Sequence, residues 1–441
     1  MKLLDLDQVH EALARVPAVQ TRGRVRRVAG GVVEATGPRV PVGELCTIAG
    51  SRPLPAEVIG FREDAVLLMP LTDANGLYPG ALVASRRRPL SVRVGPALLG
   101  RVLDGLGRPI DDAGPVRGCL RSIFADAPAP LERRRILEPL ATGVRAIDGL
   151  LTCGRGQRLG IFAGSGVGKS IMLGMIARHA RSDVNVIALI GERGREVRDF
   201  LERDLGAGLE RSVVVVATAD QPPLVRIKAA MVALTIAEAF RETGRNVLFM
   251  MDSLTRVVMA QREIGLAAGE PPTTKGYPPS AFALLPQLLE RVGAAQRGSI
   301  TGLFAVLVEA DDLSEPVSDA SRAILDGHIA LSRRLAQRNH YPAIDVLGSV
   351  SRVMPQIVAA PHRAAADEIR RVLAVHAEVE EVIQLGAYVA GSNPEVDDAL
   401  ARLPEIRAFL CQQPEEGSTW KTTLERLTAL AAARRGVEGA A

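Results

Sequence analysis

The chain has 441 residues, enough for about three domains at roughly 150 residues each. Hydrophobic residues make up 47% and charged residues 24%, so wholesale disorder is excluded and a sizeable core is available. A net charge of +4 is too mild to demand a nucleic-acid or membrane-surface partner, and an aromatic content of 3% argues against base-stacking platforms.

Residues 1–20 place Leu3, Leu4, Val9, Leu13 and Val16 at helical spacing, which predicts a short amphipathic helix. Such a helix is either a docking element or packed on its own domain. It lacks the uninterrupted apolar stretch of a signal peptide, and no run in the chain approaches the ~18 apolar residues of a membrane span. Residues 21–90 alternate short β-branched runs with Gly, Pro and Asp, the pattern of a small β-barrel. Residues 91–140 read as a connector that leads into the next segment, so that 91–365 form one α/β domain. Within it, nearly all-apolar runs at Arg158–Ala163, Val184–Ile190, Ser212–Ala217, Val247–Met251 and Gly302–Val308 predict central strands covered on both faces. Their alternation with helical stretches predicts a parallel sheet. Residues 366–441 are expected to be a helical domain; they hold 8 basic and 13 acidic residues, a net of −5. The four cysteines, Cys46, Cys119, Cys153 and Cys411, are scattered without a C-x-x-C pair. That speaks against a zinc site or a disulfide framework and fits a reducing compartment.

Ala163–Ser170 reads AGSGVGKS between an apolar strand and a helical run. This is the setting of a phosphate-binding loop. The backbone of Gly164, Ser165, Gly166, Val167 and Gly168 would face phosphate oxygens, Lys169 would reach the β- and γ-phosphates, and the Ser170 hydroxyl would hold Mg²⁺. The first position of the usual pattern is Ala163 rather than Gly, a small change. Asn246–Asp252 is an apolar strand ending in an acid, which aims Asp252 at the Mg²⁺ shell. Glu192 follows the strand Val184–Ile190, at the carboxyl edge where α/β sheets place ligands. It is either a carboxylate that polarises the attacking water or a helix N-terminal acid favoured by the dipole.

With these motifs, and with ATGVRAIDGLL, GERGREVRDFLE, GEPPTTKGYPPS, HYPAIDVLGSVSRVM and others spread from about residue 20 onward, the sequence resembles the rotary F-type/V-type ATPase superfamily. Within it, the sequence is most similar to the type III protein export ATPases. An acidic lever motif of the synthase β-subunit kind is not found in the C-terminal segment. The resemblance implies a homohexamer with an N-terminal β-barrel, a RecA-like P-loop core and a C-terminal helical domain. It implies ATP and Mg²⁺ as cofactors, and hydrolysis that releases and unfolds export substrates from their chaperones. The implied partners are a regulator dimer at residues 1–20, a coiled-coil stalk protein, the export gate and chaperone–substrate complexes. No nucleic acid is expected. The protein would be cytoplasmic, meeting the inner membrane only through the export complex. The family pattern makes Glu192 catalytic, sets Arg193 in the γ-phosphate shell, and adds Arg256 to the nucleotide site. It makes Arg352 an arginine finger for a neighbouring subunit. Tyr341 matches an aromatic that lies against adenine, the alternative being a core tyrosine. Flagellar assembly is favoured over the injectisome. A hexameric RNA-translocating helicase would share the core but needs stacking aromatics, and residues 21–90 offer only Phe61 and Tyr78.

Overall fold

The computed structural model describes residues 21–308 and 314–433. The expected helix in residues 1–20 lies outside them. Two compact units are present, one comprising the segment up to Leu90 with Glu263–Glu270, the other Ser91–Arg262 and the chain from Pro271 onward.

The first unit is a closed six-stranded barrel. Its strands are β1 (Arg22–Ala29), β2 (Val32–Ala35), β3 (Glu44–Ile48), β4 (Leu54–Arg62), β5 (Ala65–Pro70) and β6 (Leu82–Pro89), in the order β1-β2-β5-β4-β3-β6. Alternate residues such as Val33, Ala35, Cys46, Ile48, Val58, Leu68 and Val83 turn inward and fill it. Closure removes the unpaired sheet edges that short exposed strands would otherwise offer.

The second unit begins with a ribbon of β7 (Ser91–Val94) and β9 (Cys119–Ser122), with β8 (Val102–Asp104) between them in sequence. Then come β10 (Arg158–Ala163), β11 (Val184–Ile190), β12 (Ser212–Ala217), β13 (Asn246–Asp252), β14 (Gly293–Ala294), β15 (Ser299–Leu307), β16 (Gly327–Leu331) and β17 (Ile344–Ser351). The sheet order is β17-β16-β10-β15-β13-β11-β12-β8, with β14 attached to β15. From β16 to β8 every pairing is parallel. β17 returns antiparallel to β16, and β14 is antiparallel to β15.

The five expected strands form the middle of this sheet. The region read as a connector supplies its far edge, because β8 pairs with β12. β16 and β17 were not anticipated either. β16 alternates between buried and half-buried residues and β17 includes exposed ones, instead of running uniformly apolar, as befits strands near the sheet margin.

Three long helices close the unit: Ala360–Gln384, Pro394–Leu410 and Trp420–Ala432. The first begins six residues before the expected boundary at 366. The second and third start on side-chain caps, Asn393 accepting from the Glu395 and Val396 N–H groups and Thr419 accepting from Thr422 N–H. Buried Arg402 ties them together, donating to Glu368, Asp398 and the Leu430 carbonyl. The bond from Arg371, only partly offset by burial and aided by Arg402, holds the Glu368 carboxyl down at about 2.

Arg145 docks this helical layer onto the sheet domain. It is 3% exposed. Its Nε donates to the Phe409 carbonyl at 2.8 Å, and its two Nη groups donate to the Cys411 carbonyl and the Glu416 carboxylate. Its backbone N–H meets Gln412 Oε1 at 2.9 Å.

Candidate functional site

At the end of β10 the chain turns through residues 164–168 into the helix Lys169–His179. Gly168 caps that helix with φ of 89°, a left-handed conformation that glycine adopts without steric cost. A Cβ placed on it would lie 3.4 Å from the Tyr341 ring, so the turn runs directly beside that aromatic face. Val167 is buried and anchors the loop, whereas Ser165 and Ser170 are exposed. The first N–H groups of this helix have no intrahelical acceptor, and the helix dipole adds positive potential at the same point. The loop is therefore built to receive an anion.

Two carboxylates converge on Lys169. Its ammonium donates to Asp252 Oδ1 and lies 3.6 Å from Glu192 Oε1. The sheet produces this meeting: β11 and β13 are neighbours, with Leu189 level with Asp252, so Glu192 emerges just beyond the Asp252 strand end. Gly191 makes the intervening turn at φ of 75°, and a Cβ there would sit 2.7 Å from the Arg256 side chain. A larger residue at 191 would push Glu192 and Arg256 apart.

The electrostatics of this trio are strongly coupled. Burial, reinforced by the Asp252 charge and opposed by Lys169, pushes the Glu192 carboxyl up to about 7. Burial works against the Lys169 ammonium, but Asp252 and Glu192 outweigh it and raise its pKa, so it stays charged. The site thus holds a fixed cation beside a carboxyl poised near neutrality, a pattern that favours proton transfer to or from bound water.

The other expected residues are placed as follows. Tyr341 is 38% exposed and faces the loop at Gly168. Arg256 packs on Gly191, and its Nε is buried without a partner among the described residues. The Arg193 side chain is 84% exposed and lies 3.9 Å from Glu196, turned to solvent rather than toward Lys169. Arg352 follows β17, and its Nη groups meet the carbonyls of Leu325 and Arg322. Because β17 is antiparallel, Ser351 pairs with Gly327 at the start of β16, while Ile344 pairs with Leu331 at its end. Ala163 is level with Leu331. Arg352 therefore sits at the amino edge of the sheet, a strand length of roughly 15 Å from the loop that follows Ala163.

One contact had no signal in the sequence. Gln412 N–H donates to the Tyr341 carbonyl at 2.9 Å, and Gln412 Nε2 donates to the Gly143 carbonyl at 2.7 Å. The loop between the last two helices thereby holds the segment that carries Tyr341. At the other end of the phosphate-loop helix, Arg178 donates to the carbonyls of Asp204 and of Pro414 in that same loop. In sequence, CQQPEEG reads only as a Pro- and Gly-punctuated helix break.

No group of three or more His, Cys, Asp or Glu able to cage a metal occurs among the described residues. Mg²⁺ needs no such cage, since it takes one or two protein oxygens and completes its shell with phosphate and water. The Ser170 hydroxyl and the Asp252 carboxylate, beside the phosphate loop, form a donor set of that kind.

A strand, a glycine turn with lysine and hydroxyl, and two acids at neighbouring parallel strand ends define a P-loop nucleoside triphosphatase. Family models match three consecutive stretches: the ATP synthase alpha/beta family β-barrel domain at 25–86, the nucleotide-binding domain of that family at 143–351, and the T3SS EscN ATPase C-terminal domain at 358–429. The flagellum-specific ATP synthase of Bacillus subtilis is 51% identical over 414 residues, covering 92% of this chain and 94% of that one. The chain belongs to the ATP synthase alpha/beta family and carries the C-terminal domain of its type III secretion members. The type 3 secretion system ATPase of Xanthomonas euvesicatoria is 52% identical over 423 residues, covering 95% of this chain and 96% of that one. The structure of the assembled ATPase EscN from the enteropathogenic E. coli type III secretion system superposes with a TM-score of 0.89 at 47% identity, covering 93% of this chain and 100% of that one. A second, of EscN in complex with its central stalk EscO, gives 0.86 at 46% identity with the same coverage.

Proposed function

We propose that a homohexamer of this chain hydrolyses ATP with Mg²⁺ and that hydrolysis energises type III protein export, freeing and unfolding substrates held by chaperones. Relatives named for flagella and for type 3 secretion match to the same degree, so the activity common to both is what we assign. The observation that carries the reading is the convergence of Lys169, Glu192 and Asp252 at the mouth of the phosphate loop, with Arg352 on the opposite sheet edge.

The backbone of residues 164–168 cradles the phosphates and Lys169 neutralises their charge. Ser170 and Asp252 would hold Mg²⁺, which when bound would supply further charge neutralisation on the phosphates. Glu192 orients and polarises the attacking water, and Arg256 backs it from across Gly191. The Tyr341 ring receives the adenine. Arg352 lies too far from its own loop to act there, so it completes the site of the next subunit by heterologous contact. An arginine placed this way adds ~10³–10⁵ in rate, and its planar fork is not replaced by lysine. The exposed apolar tip formed by Leu385 and Val389, between the first two long helices, offers a coiled-coil stalk its contact. No helix among the described residues is long and apolar enough to cross a membrane.

The test mixes Arg352→Ala with Lys169→Ala chains, each inactive alone. Mixed rings regain activity where an intact loop meets an intact finger. If rings demonstrably mix and activity stays absent, Arg352 does not act in trans.

A further inference from the structure

Gln157 stands in the short turn that leads into β10 and is 0% exposed. A side-chain amide removed from water destabilises the fold unless its oxygen and its N–H groups find partners. Here both ends are used. Oε1 accepts from the Gly154 N–H at 2.8 Å, across the turn. Nε2 donates to the Asp326 carbonyl and to Ser351 Oγ, each at 3.1 Å. Ser351 in turn donates to the Thr152 carbonyl at 2.8 Å, so its hydroxyl proton is committed and its lone pairs receive the amide. The Gly154 N–H can meet only an acceptor and the Asp326 carbonyl only a donor, which fixes the orientation of the Gln157 amide.

The two residues that receive Nε2 flank the finger. Ser351 precedes Arg352 in the chain, and Asp326 follows Leu325, whose carbonyl accepts from the Arg352 guanidinium at 3.2 Å. The Arg352 backbone N–H itself donates to the Asp326 carbonyl at 3.1 Å, the same oxygen that Gln157 holds. Asp326 is fixed at its other end too. Its carboxylate takes the Arg158 backbone N–H at 3.0 Å and the Arg158 guanidinium at 3.2 Å. β16 and β17 meet at this point, since Gly327 pairs with Ser351. One buried amide thus joins the root of the finger to the approach to β16, on which its guanidinium rests. The turn itself needs only half of Gln157. The Gln157 backbone N–H closes on the Gly154 carbonyl at 3.0 Å, and Oε1 completes the turn. The donor half goes to residues 326 and 351.

We propose that Gln157 is a positioning residue for Arg352, its amide setting the reach and direction of the finger that enters the neighbouring subunit's nucleotide site. This rests on the trans role given to Arg352 above. A finger whose root shifts loses its alignment with the charge that develops in the transition state, and a displacement of about 1 Å costs about 100-fold in rate. The phosphate loop lies at the other end of β10, so a chain's own nucleotide binding is spared.

The experiment is a mixed-ring assay with full-length Gln157→Met, which keeps the length of the side chain and removes its polar atoms. Alone, this variant should lose about 10- to 100-fold in kcat while its MgADP affinity stays within about twofold of the parent. In mixed rings it should regain activity with Lys169→Ala chains, whose fingers are intact, and gain none with Arg352→Ala chains, whose fingers are absent. A merely structural lesion has no such preference. Ser351→Ala leaves room for every neighbour and removes one of the two acceptors, so it should fall in the same class with a smaller loss. It carries the test alone if Gln157→Met does not fold. The positioning role is overturned if the folded variants keep parental kcat, if neither partner restores their activity, or if Arg352→Ala chains restore it. The control is the pair Arg352→Ala and Lys169→Ala. If that pair stays inactive in rings that demonstrably mix, the trans finger is refuted and the role of Gln157 goes with it. If the pair recovers and the Gln157 and Ser351 variants do not follow the expected pattern, the role of Gln157 alone is refuted.

Discussion

Replacing Arg145 by Met keeps the length and the apolar stem of this side chain and removes its guanidinium. The loss falls on two main-chain carbonyls, Phe409 O in the last turn of the second long helix and Cys411 O just after it. A hydrogen bond from a charged donor contributes about 1.5–3 kcal/mol, and a buried acceptor left bare costs about 1–3 kcal/mol. The Glu416 carboxylate is 43% exposed and returns to water, so it adds little. Allowing for partial rehydration of the carbonyls, we expect a loss of about 3 kcal/mol, more than a hundredfold in the folding equilibrium. The assay is urea unfolding followed by tryptophan fluorescence. Trp420 is the single tryptophan, and its ring meets His362 edge-on at 5.6 Å, so the signal reports the helical layer itself. The same loop fixes Tyr341 through Gln412, so KM for ATP should rise while kcat falls little. A midpoint within error of the parent, with unchanged KM, would refute the idea that Arg145 fastens this layer.

Lys169→Ala should abolish hydrolysis in a phosphate-release assay, because it removes the charge that pairs with the β- and γ-phosphates; parental turnover would sink the assignment. Glu192→Gln should bind nucleotide normally and lose turnover, since the amide cannot polarise water as the carboxylate does. In the parent, hydrolysis should fall on the acid side with a midpoint near 7, where the raised Glu192 carboxyl gains its proton. A midpoint in the usual carboxylate range near 4–5 would contradict this. Glu368 behaves oppositely. Its folded pKa of about 2 lies below the ordinary 4.5, so its contribution is present above 4.5 and is lost as pH falls toward 2. Glu368→Gln should flatten acid unfolding of the helical layer in that window.

The five buried strands were legible because each is a short, nearly pure apolar run, rich in β-branched residues, the pattern of a strand covered on both faces. The phosphate loop was legible because its residues are contiguous. What escaped were features that depend on partners far away in sequence. Val102–Asp104 is three residues long and becomes a strand only because β12 lies beside it. Gly327–Leu331 and Ile344–Ser351 alternate like half-covered strands, and nothing local announces that the second runs backward. Arg193 shares a motif with Glu192, yet one step along the chain at a helix start swings it to solvent. The link from Gln412 to Tyr341 spans 71 positions, and no short window contains both.

Under the trans role proposed for Arg352, the reversed direction of β17 would have a genetic consequence. A chain lacking the Arg352 side chain would keep its own phosphate loop, its own acids and the finger it receives from behind. The site it disabled would belong to the neighbour ahead. A cell making both versions would therefore see healthy chains silenced by defective ones, and activity would fall in step with the share of junctions spoiled. A chain lacking Lys169 would spoil only the site it owns. On this reading the two lesions would be equally severe in a pure preparation, yet they would assign the damage to different molecules of a mixed ring.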